Sequence, residues 1–135
     1  MCLLIATGMA LPSLSTMAAD KHKPIKIKLN ENNQAELPLS LFDESNIQVV
    51  RVKHSFYDIA VHKEEDGKYR AMLMKCTHMD NQLNLTDTGF VCDRHGSEFD
   101  TKGIVTKGPA EGALYLYETS TNETTLFINN IKIEE

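Results

Sequence analysis

The chain is short, contains few cysteines and has fewer basic than acidic residues. Its 135 residues are enough for one domain and leave no room for a second. Three cysteines are too few for a disulfide framework, and an odd number leaves at least one of them unpaired. With 14 Lys and Arg against 19 Asp and Glu, the formal net charge is −5. That balance argues against nucleic acid or anionic lipid as the main partner, because both need a basic face.

Helical periodicity is also scarce, and a short turn near residues 40–44 is the best helix candidate. From Pro24 onward, apolar residues recur at every second position, which indicates half-buried strands. The predicted strands are 25–29, 47–52, 56–61, 69–74, 113–117 and 124–133, with a hairpin turn at 64–67 and a polar turn at 119–122. Short strands separated by polar turns predict an all-β fold, an antiparallel sandwich or a small barrel.

The first 19 residues contain no charged side chain. Their apolar stretch, residues 2–11, is too short to span a bilayer of roughly 30 Å but is typical of the hydrophobic part of a signal peptide. The small residues Thr16 and Ala18 fit a cleavage site after Ala18. We therefore predict a signal peptide or N-terminal anchor at 1–19 and one folded domain at 20–135, exported or facing the periplasm.

One feature opposes this prediction, since no Lys or Arg precedes the apolar stretch and four lysines follow it between residues 21 and 28. By the positive-inside rule, an anchor with these flanks would hold the domain in the cytoplasm. An upstream start would remove the conflict. An exported protein, an uncleaved anchor with a cytoplasmic domain and an ordinary buried segment therefore remain three alternatives at this stage.

Between residues 74 and 113 the strand rhythm breaks. Most of the glycines fall in this interval, together with two of the three cysteines and two of the five histidines. A glycine-rich, loop-rich insertion in a β scaffold is where functional sites are usually carried. We predict that residues of about 75–112 form a separate subdomain that binds a cofactor.

The chemistry of this interval lies in two Cys/His pairs. Cys76 and His78 form C-x-H, and after thirteen intervening residues Cys92 and His95 form C-x-x-H. The two pairs could be scattered residues of an empty loop, or a Cys2His2 zinc site, although structural zinc loops usually open with two cysteines and close with two histidines. Because each loop mixes the two ligand types, the pattern favours a binuclear centre in which one iron takes two sulfurs and the other two imidazoles.

These residues resemble the Rieske iron–sulfur domain. The resemblance covers the segment from Cys76 to Ala110, which includes Gly96, Ser97, Phe99 and Pro109. It implies a three-sheet, all-β fold and one [2Fe–2S] cluster at the tip of the inserted subdomain. It further implies that Cys76 and Cys92 bind the inner iron, that His78 and His95 bind the outer iron, and that Pro109 lies in a loop that covers the cluster.

The departures from the family separate its subtypes. Rieske proteins of cytochrome bc complexes carry two further cysteines where this chain has Asn81 and Arg94, so no disulfide joins the loops here, as in ferredoxins that serve oxygenases. Gly96 and Ser97 instead resemble the quinol-oxidising type, in which the serine hydroxyl donates to a bridging sulfide. The tyrosine that donates to a cysteine sulfur in that type is replaced by Phe99.

The resemblance implies an electron carrier, or the redox subunit of an oxidoreductase complex, rather than a stand-alone enzyme. The expected role is one-electron transfer from a quinol or periplasmic enzyme to a cytochrome-type acceptor, with possible membrane association through the N-terminus. The alternative is a cytoplasmic Rieske ferredoxin that donates electrons to an oxygenase.

Replacing Phe99 tests the predicted tuning of the cluster. The Phe99→Tyr variant should have a higher midpoint potential, because an added hydroxyl can donate a charge-assisted hydrogen bond to sulfur and stabilise the reduced state. Protein-film voltammetry measures the shift. A potential equal to or below that of the wild type would contradict the role assigned to this position.

Overall fold

The computed structural model describes residues 23–133, which form twelve short strands in three sheets and one 3-10 turn. The turn spans Leu39–Phe42. The strands are β1 Ile25–Ile27, β2 Ala35–Pro38, β3 Ile47–Val52, β4 Ile59–Lys63, β5 Tyr69–Leu73, β6 Asn84–Thr86, β7 Gly89–Val91, β8 Glu98–Asp100, β9 Val105–Lys107, β10 Leu116–Tyr117, β11 Thr119–Thr121 and β12 Thr125–Ile128. The fold is therefore all-β, as the sequence predicts.

The central sheet has five strands in the order β1-β3-β4-β5-β10. Its neighbouring strands pair antiparallel except for the edge strand β1, which runs parallel to β3. The β4–β5 hairpin closes at residues 64–67, where the Glu64 amide donates to the Lys68 carbonyl at 2.8 Å and Gly67 takes a φ of 85°. A glycine accepts that left-handed conformation without steric cost, which explains the predicted turn.

The two faces of the central sheet serve different cores. Side chains alternate along each strand, so Val50, Val52, Ile59, Val61 and Ala71 face the small sheet, whose order is β11-β12-β2. Leu37, Leu126 and Ile128 of the small sheet complete this first core. The two sheets form the predicted sandwich, which buries the apolar face of each against the other.

The opposite face of the central sheet packs against the subdomain. Val49, Ala60 and Met72 point to this side and join a second buried core with Phe90, Phe99, Cys76 and Cys92. The third sheet, in the order β6-β7-β8-β9, belongs to this part. Its strands lie within the interval 75–112 predicted for the subdomain.

The differences from the predicted elements have local causes. The strand predicted at 56–61 begins only at Ile59, because Phe56 lies in a turn with 72% of its surface exposed. The predicted polar turn at 119–122 is itself mostly strand β11, which pairs with β12. The strand predicted at 124–133 ends at Ile128. Strands β2 and β6–β9, of three or four residues each, are not among the predicted strands.

The predicted leader at 1–19 lies outside the described residues. Within residues 23–133, no helix combines the length and the apolar character needed to cross a membrane.

Gly89 at the start of β7 provides a test of the second core. Its φ is 149°, and a Cβ placed there would overlap the main-chain oxygen of Phe99 and lie 2.8 Å from the Asp100 Cα. The Gly89→Ala variant should therefore lose about 3 kcal/mol of unfolding free energy, at the upper end of overpacking costs. Gly112→Ala is the matched control, because a Cβ at Gly112 meets nothing within 4 Å. Urea denaturation measures both, and equal stabilities would contradict the packing described.

Candidate metal centre

The two Cys/His pairs lie on two loops that share one hydrogen-bond pattern. We call residues 76–81 loop 1 and residues 92–97 loop 2. In loop 1 the Cys76 amide donates to the Asn81 carbonyl at 2.7 Å, and the Cys76 carbonyl accepts from the Asp80 amide at 2.9 Å. In loop 2 the Cys92 amide donates to the Ser97 carbonyl at 2.8 Å, and the Cys92 carbonyl accepts from the Gly96 amide at 2.9 Å. Each cysteine is therefore fixed through both of its main-chain groups.

Each loop closes through a residue in the left-handed conformation at the fourth position after the cysteine. Gly96 has a φ of 80°, and Asp80 has a φ of 55° at the equivalent place. Glycine adopts this conformation without penalty, and aspartate is among the few other residues that tolerate it. The two loops therefore adopt the same left-handed conformation at this position with different residues.

The sulfurs and the imidazoles are separated by depth. Cys76 and Cys92 are each 1% exposed and are part of the second core, whereas His78 and His95 are exposed. The rings of the two histidines lie side by side, with centroids 5.2 Å apart and planes at 85°. The structure thus places the two thiols in one buried core and the two imidazoles in contact at the surface.

The donor set fits an asymmetric binuclear cluster. Both cysteines are free thiols, and thiolates are the usual ligands of iron–sulfur iron, with two imidazoles replacing two thiolates on one iron in the Rieske type. Within residues 23–133, no group of three or more His, Cys, Asp or Glu side chains is arranged around a single ion position. The fit rests on the pairing of donors, two sulfurs at depth and two nitrogens at the surface.

Ser97 lies inside the site and ties it to the loop that contains Pro109. Its side chain is completely buried, and its Oγ accepts a hydrogen bond from the Ala110 amide at 3.0 Å. Pro109, the residue before, is exposed. From loop 1, the Thr77 hydroxyl donates to the Gly112 carbonyl at 2.7 Å. The 108–112 loop is therefore held from both cysteine loops.

Phe99 lies under loop 2 on strand β8. It is 2% exposed, pairs in register with Phe90 of β7, and belongs to the same buried core as both cysteines. Its ring offers no hydroxyl to a sulfur. The core on this side of the two thiols is thus apolar.

Charged residues surround the site without entering it. The Asn84 amide donates to the Asp93 carboxylate at 3.3 Å, and Arg94 is exposed on loop 2 beside His95. Farther away, Arg51 donates to both oxygens of Asp58 at 2.8 and 3.0 Å. The hydrogen bond with Asp58, and then the charge of Asp58, raises the pKa of Arg51. This pair anchors the turn before β4 to β3.

The contacts of Tyr57 and Lys75 with loop 1 are not predicted by the sequence. The Tyr57 hydroxyl donates to the Asp80 carbonyl at 2.6 Å, and the Lys75 ammonium lies 5.1 Å from the centre of the Tyr57 ring. Tyr57 is far from the motif in the sequence, and no spacing rule connects a tyrosine in a β-turn with a distant main-chain oxygen. A three-dimensional structure is needed to find it.

The comparisons with known proteins agree with this geometry. Residues 32–119 match the Rieske [2Fe-2S] domain family. Among solved structures, the chain is similar to the cyanobacterial plasma membrane Rieske protein PetC3 from Synechocystis PCC 6803, with 25% identity and a TM-score of 0.58 over 69% of this chain and 95% of that one. Among curated proteins, no sequence matches significantly.

A second solved structure with the same fold belongs to a much larger protein. Naphthalene 1,2-dioxygenase with indole bound in the active site is 20% identical, with a TM-score of 0.58 over 75% of this chain. This chain spans about a quarter of that protein, 26% of its length. The likeness shows the fold alone.

Removing the Ser97 hydroxyl should affect both stability and redox behaviour. In the Ser97→Ala variant the Ala110 amide loses its acceptor in a buried place, which costs about 1–3 kcal/mol of unfolding free energy. The midpoint potential should fall, because the resemblance implies that this hydroxyl donates to a cluster sulfur. Thermal unfolding and voltammetry of the same preparation measure the two effects, and an unchanged potential would show that the hydroxyl does not reach the cluster.

Proposed function

The chain belongs to the Rieske [2Fe-2S] domain family, and from this membership we propose how its own residues hold and use the cluster. Its function is electron transfer through a Rieske cluster. We assign Cys76 and Cys92 to the inner iron and His78 and His95 to the outer iron. The observation that carries the assignment is the depth of the four side chains, with two sulfurs buried and two neighbouring imidazoles exposed.

When bound, the cluster supplies the reversible uptake of one electron, and the protein supplies binding, orientation and control of solvent. The second core excludes water from the cysteine side. Ser97 offers the hydroxyl that favours the reduced state, and Gly96 lets the chain turn close to the sulfur. His78 and His95 form the surface that a redox partner can approach.

We assign this carrier to an exported or membrane-facing electron-transfer chain, in which it lies between a quinol or periplasmic enzyme and a cytochrome-type acceptor. Three features support this setting. The first 19 residues carry no charge and include an apolar stretch typical of a signal peptide. Gly96 and Ser97 resemble the quinol-oxidising type. The similar Synechocystis protein is a plasma membrane Rieske protein.

The alternative, a cytoplasmic ferredoxin that donates to an oxygenase, is supported by a different observation. Asn81 and Arg94 stand where a cross-loop disulfide would need cysteines, and both described cysteines are free. Cell fractionation with N-terminal sequencing separates the two settings. A mature protein that begins near residue 19 in the exported fraction supports the first, and an intact N-terminus in the cytoplasm supports the second.

Purified protein should contain two irons and two inorganic sulfides per chain, as a [2Fe–2S] cluster requires. The Cys76→Ala variant should lose this content entirely, because one of only four ligands is removed. After reduction by dithionite, electron paramagnetic resonance should give a rhombic signal for the wild type and none for the variant.

His54→Asn is the matched control for the ligand assignment. His54 is exposed in the turn after β3 with a φ of 72°, a conformation that asparagine also tolerates. This variant should keep the full iron and sulfide content. A colourless wild-type protein without sulfide, or a Cys76→Ala variant that keeps its cluster, would refute the assignment.

A further inference from the structure

Loop 1 has no covalent link to loop 2 and is instead braced from the side by the turn between β3 and β4. The turn supplies Tyr57, whose hydroxyl donates to the Asp80 carbonyl at 2.6 Å. At 2.6 Å this is a short hydrogen bond, at the lower end of the range for O–H···O contacts. It joins two segments that are 23 residues apart in the sequence.

This hydrogen bond is made to the residue of loop 1 with the least favourable backbone conformation. Asp80 is the left-handed residue that closes the loop, and its amide donates to the Cys76 carbonyl. Loop 2 has Gly96 at the equivalent position, which needs no support to adopt this conformation. The tyrosine therefore braces the loop that lacks the glycine.

The same turn also holds both ends of loop 1. The Asp58 carbonyl accepts from the Met74 amide at 2.8 Å, just before the loop, and the Asp58 amide donates to the Gln82 side chain at 2.9 Å, just after it. Lys75 adds a further contact, since its ammonium lies over the Tyr57 ring and 4.0 Å from an Asp80 carboxylate oxygen. Loop 1 is thus held at its start, at its closing residue and at its exit.

We propose that Tyr57 is a positioning residue that fixes loop 1, and with it Cys76 and His78, in the geometry that binds the cluster. The proposal rests on the ligand assignment above. Tyr57 acts on the ligands through the carbonyl of Asp80. It performs from the side the task that a disulfide between the loops would perform across the site.

The test replaces only the hydroxyl. In the Tyr57→Phe variant, release of iron to a chelator should be roughly two- to tenfold faster, the ratio that corresponds to the loss of one typical hydrogen bond. The electron paramagnetic resonance signal of the reduced protein should broaden, because loop 1 then occupies a wider range of positions. The melting temperature should change no more than in the control variant.

Tyr69→Phe is the matched control. Tyr69 begins β5, at the opposite end of that strand from loop 1, and its ring packs against Phe42 in the first core. This variant should release iron at the wild-type rate with an unchanged signal. Release at the wild-type rate in both variants would overturn the proposal. Equally faster release in both would also overturn it, in favour of a general effect on stability.

Two further measurements keep the test decisive. If Tyr57→Phe does not fold, Lys75→Met removes the charge over the ring and should raise the release rate by a smaller factor, while a wild-type rate would overturn the proposal. Hydrogen exchange of the peptide 76–81, followed by mass spectrometry, needs no cluster. Faster exchange in Tyr57→Phe supports the brace even where iron analysis refutes the ligand assignment, and unchanged exchange overturns it.

Discussion

The closure of each cysteine loop by its own main chain is the constraint on which the site depends. The amide and the carbonyl of Cys76 are both bonded within loop 1, and those of Cys92 within loop 2. The main chain of neither cysteine can move away from the core without breaking two hydrogen bonds. The depth of the sulfurs and the exposure of the histidines both follow from these turns.

The same constraint explains why the two loops are stabilised by different contacts. Gly96 closes loop 2 without strain and leaves Ser97 free to face inward, where it accepts from the 108–112 loop. Asp80 closes loop 1 with a side chain present, and the turn before β4 supports it. The lack of a disulfide is therefore not a lack of restraint, since noncovalent contacts fix both loops to the 108–112 loop and loop 1 also to the turn before β4.

The sequence was most informative where physical signals are local. Residues 47–52 are rich in Val and Ile and form β3 as predicted, and the paired Cys/His motif is specific enough to indicate the site. It was least informative where structure depends on distant partners. Strand β2 exists because β12 pairs with it, and Tyr57 reaches loop 1 only after β3 and β4 have folded. Phe56 looked like part of a strand because its hydrophobicity alone does not reveal that it lies in an exposed turn.

The central sheet also acts as a partition. Along β5, Ala71 faces the sandwich and its neighbour Met72 faces the cysteines, so consecutive residues of one strand pack in separate cores. A substitution at Ala71 changes the packing of the sandwich, whereas one at Met72 changes the core that contains the cysteines. The stability of the sandwich and the surroundings of the thiols can therefore evolve separately, through alternate positions of one strand.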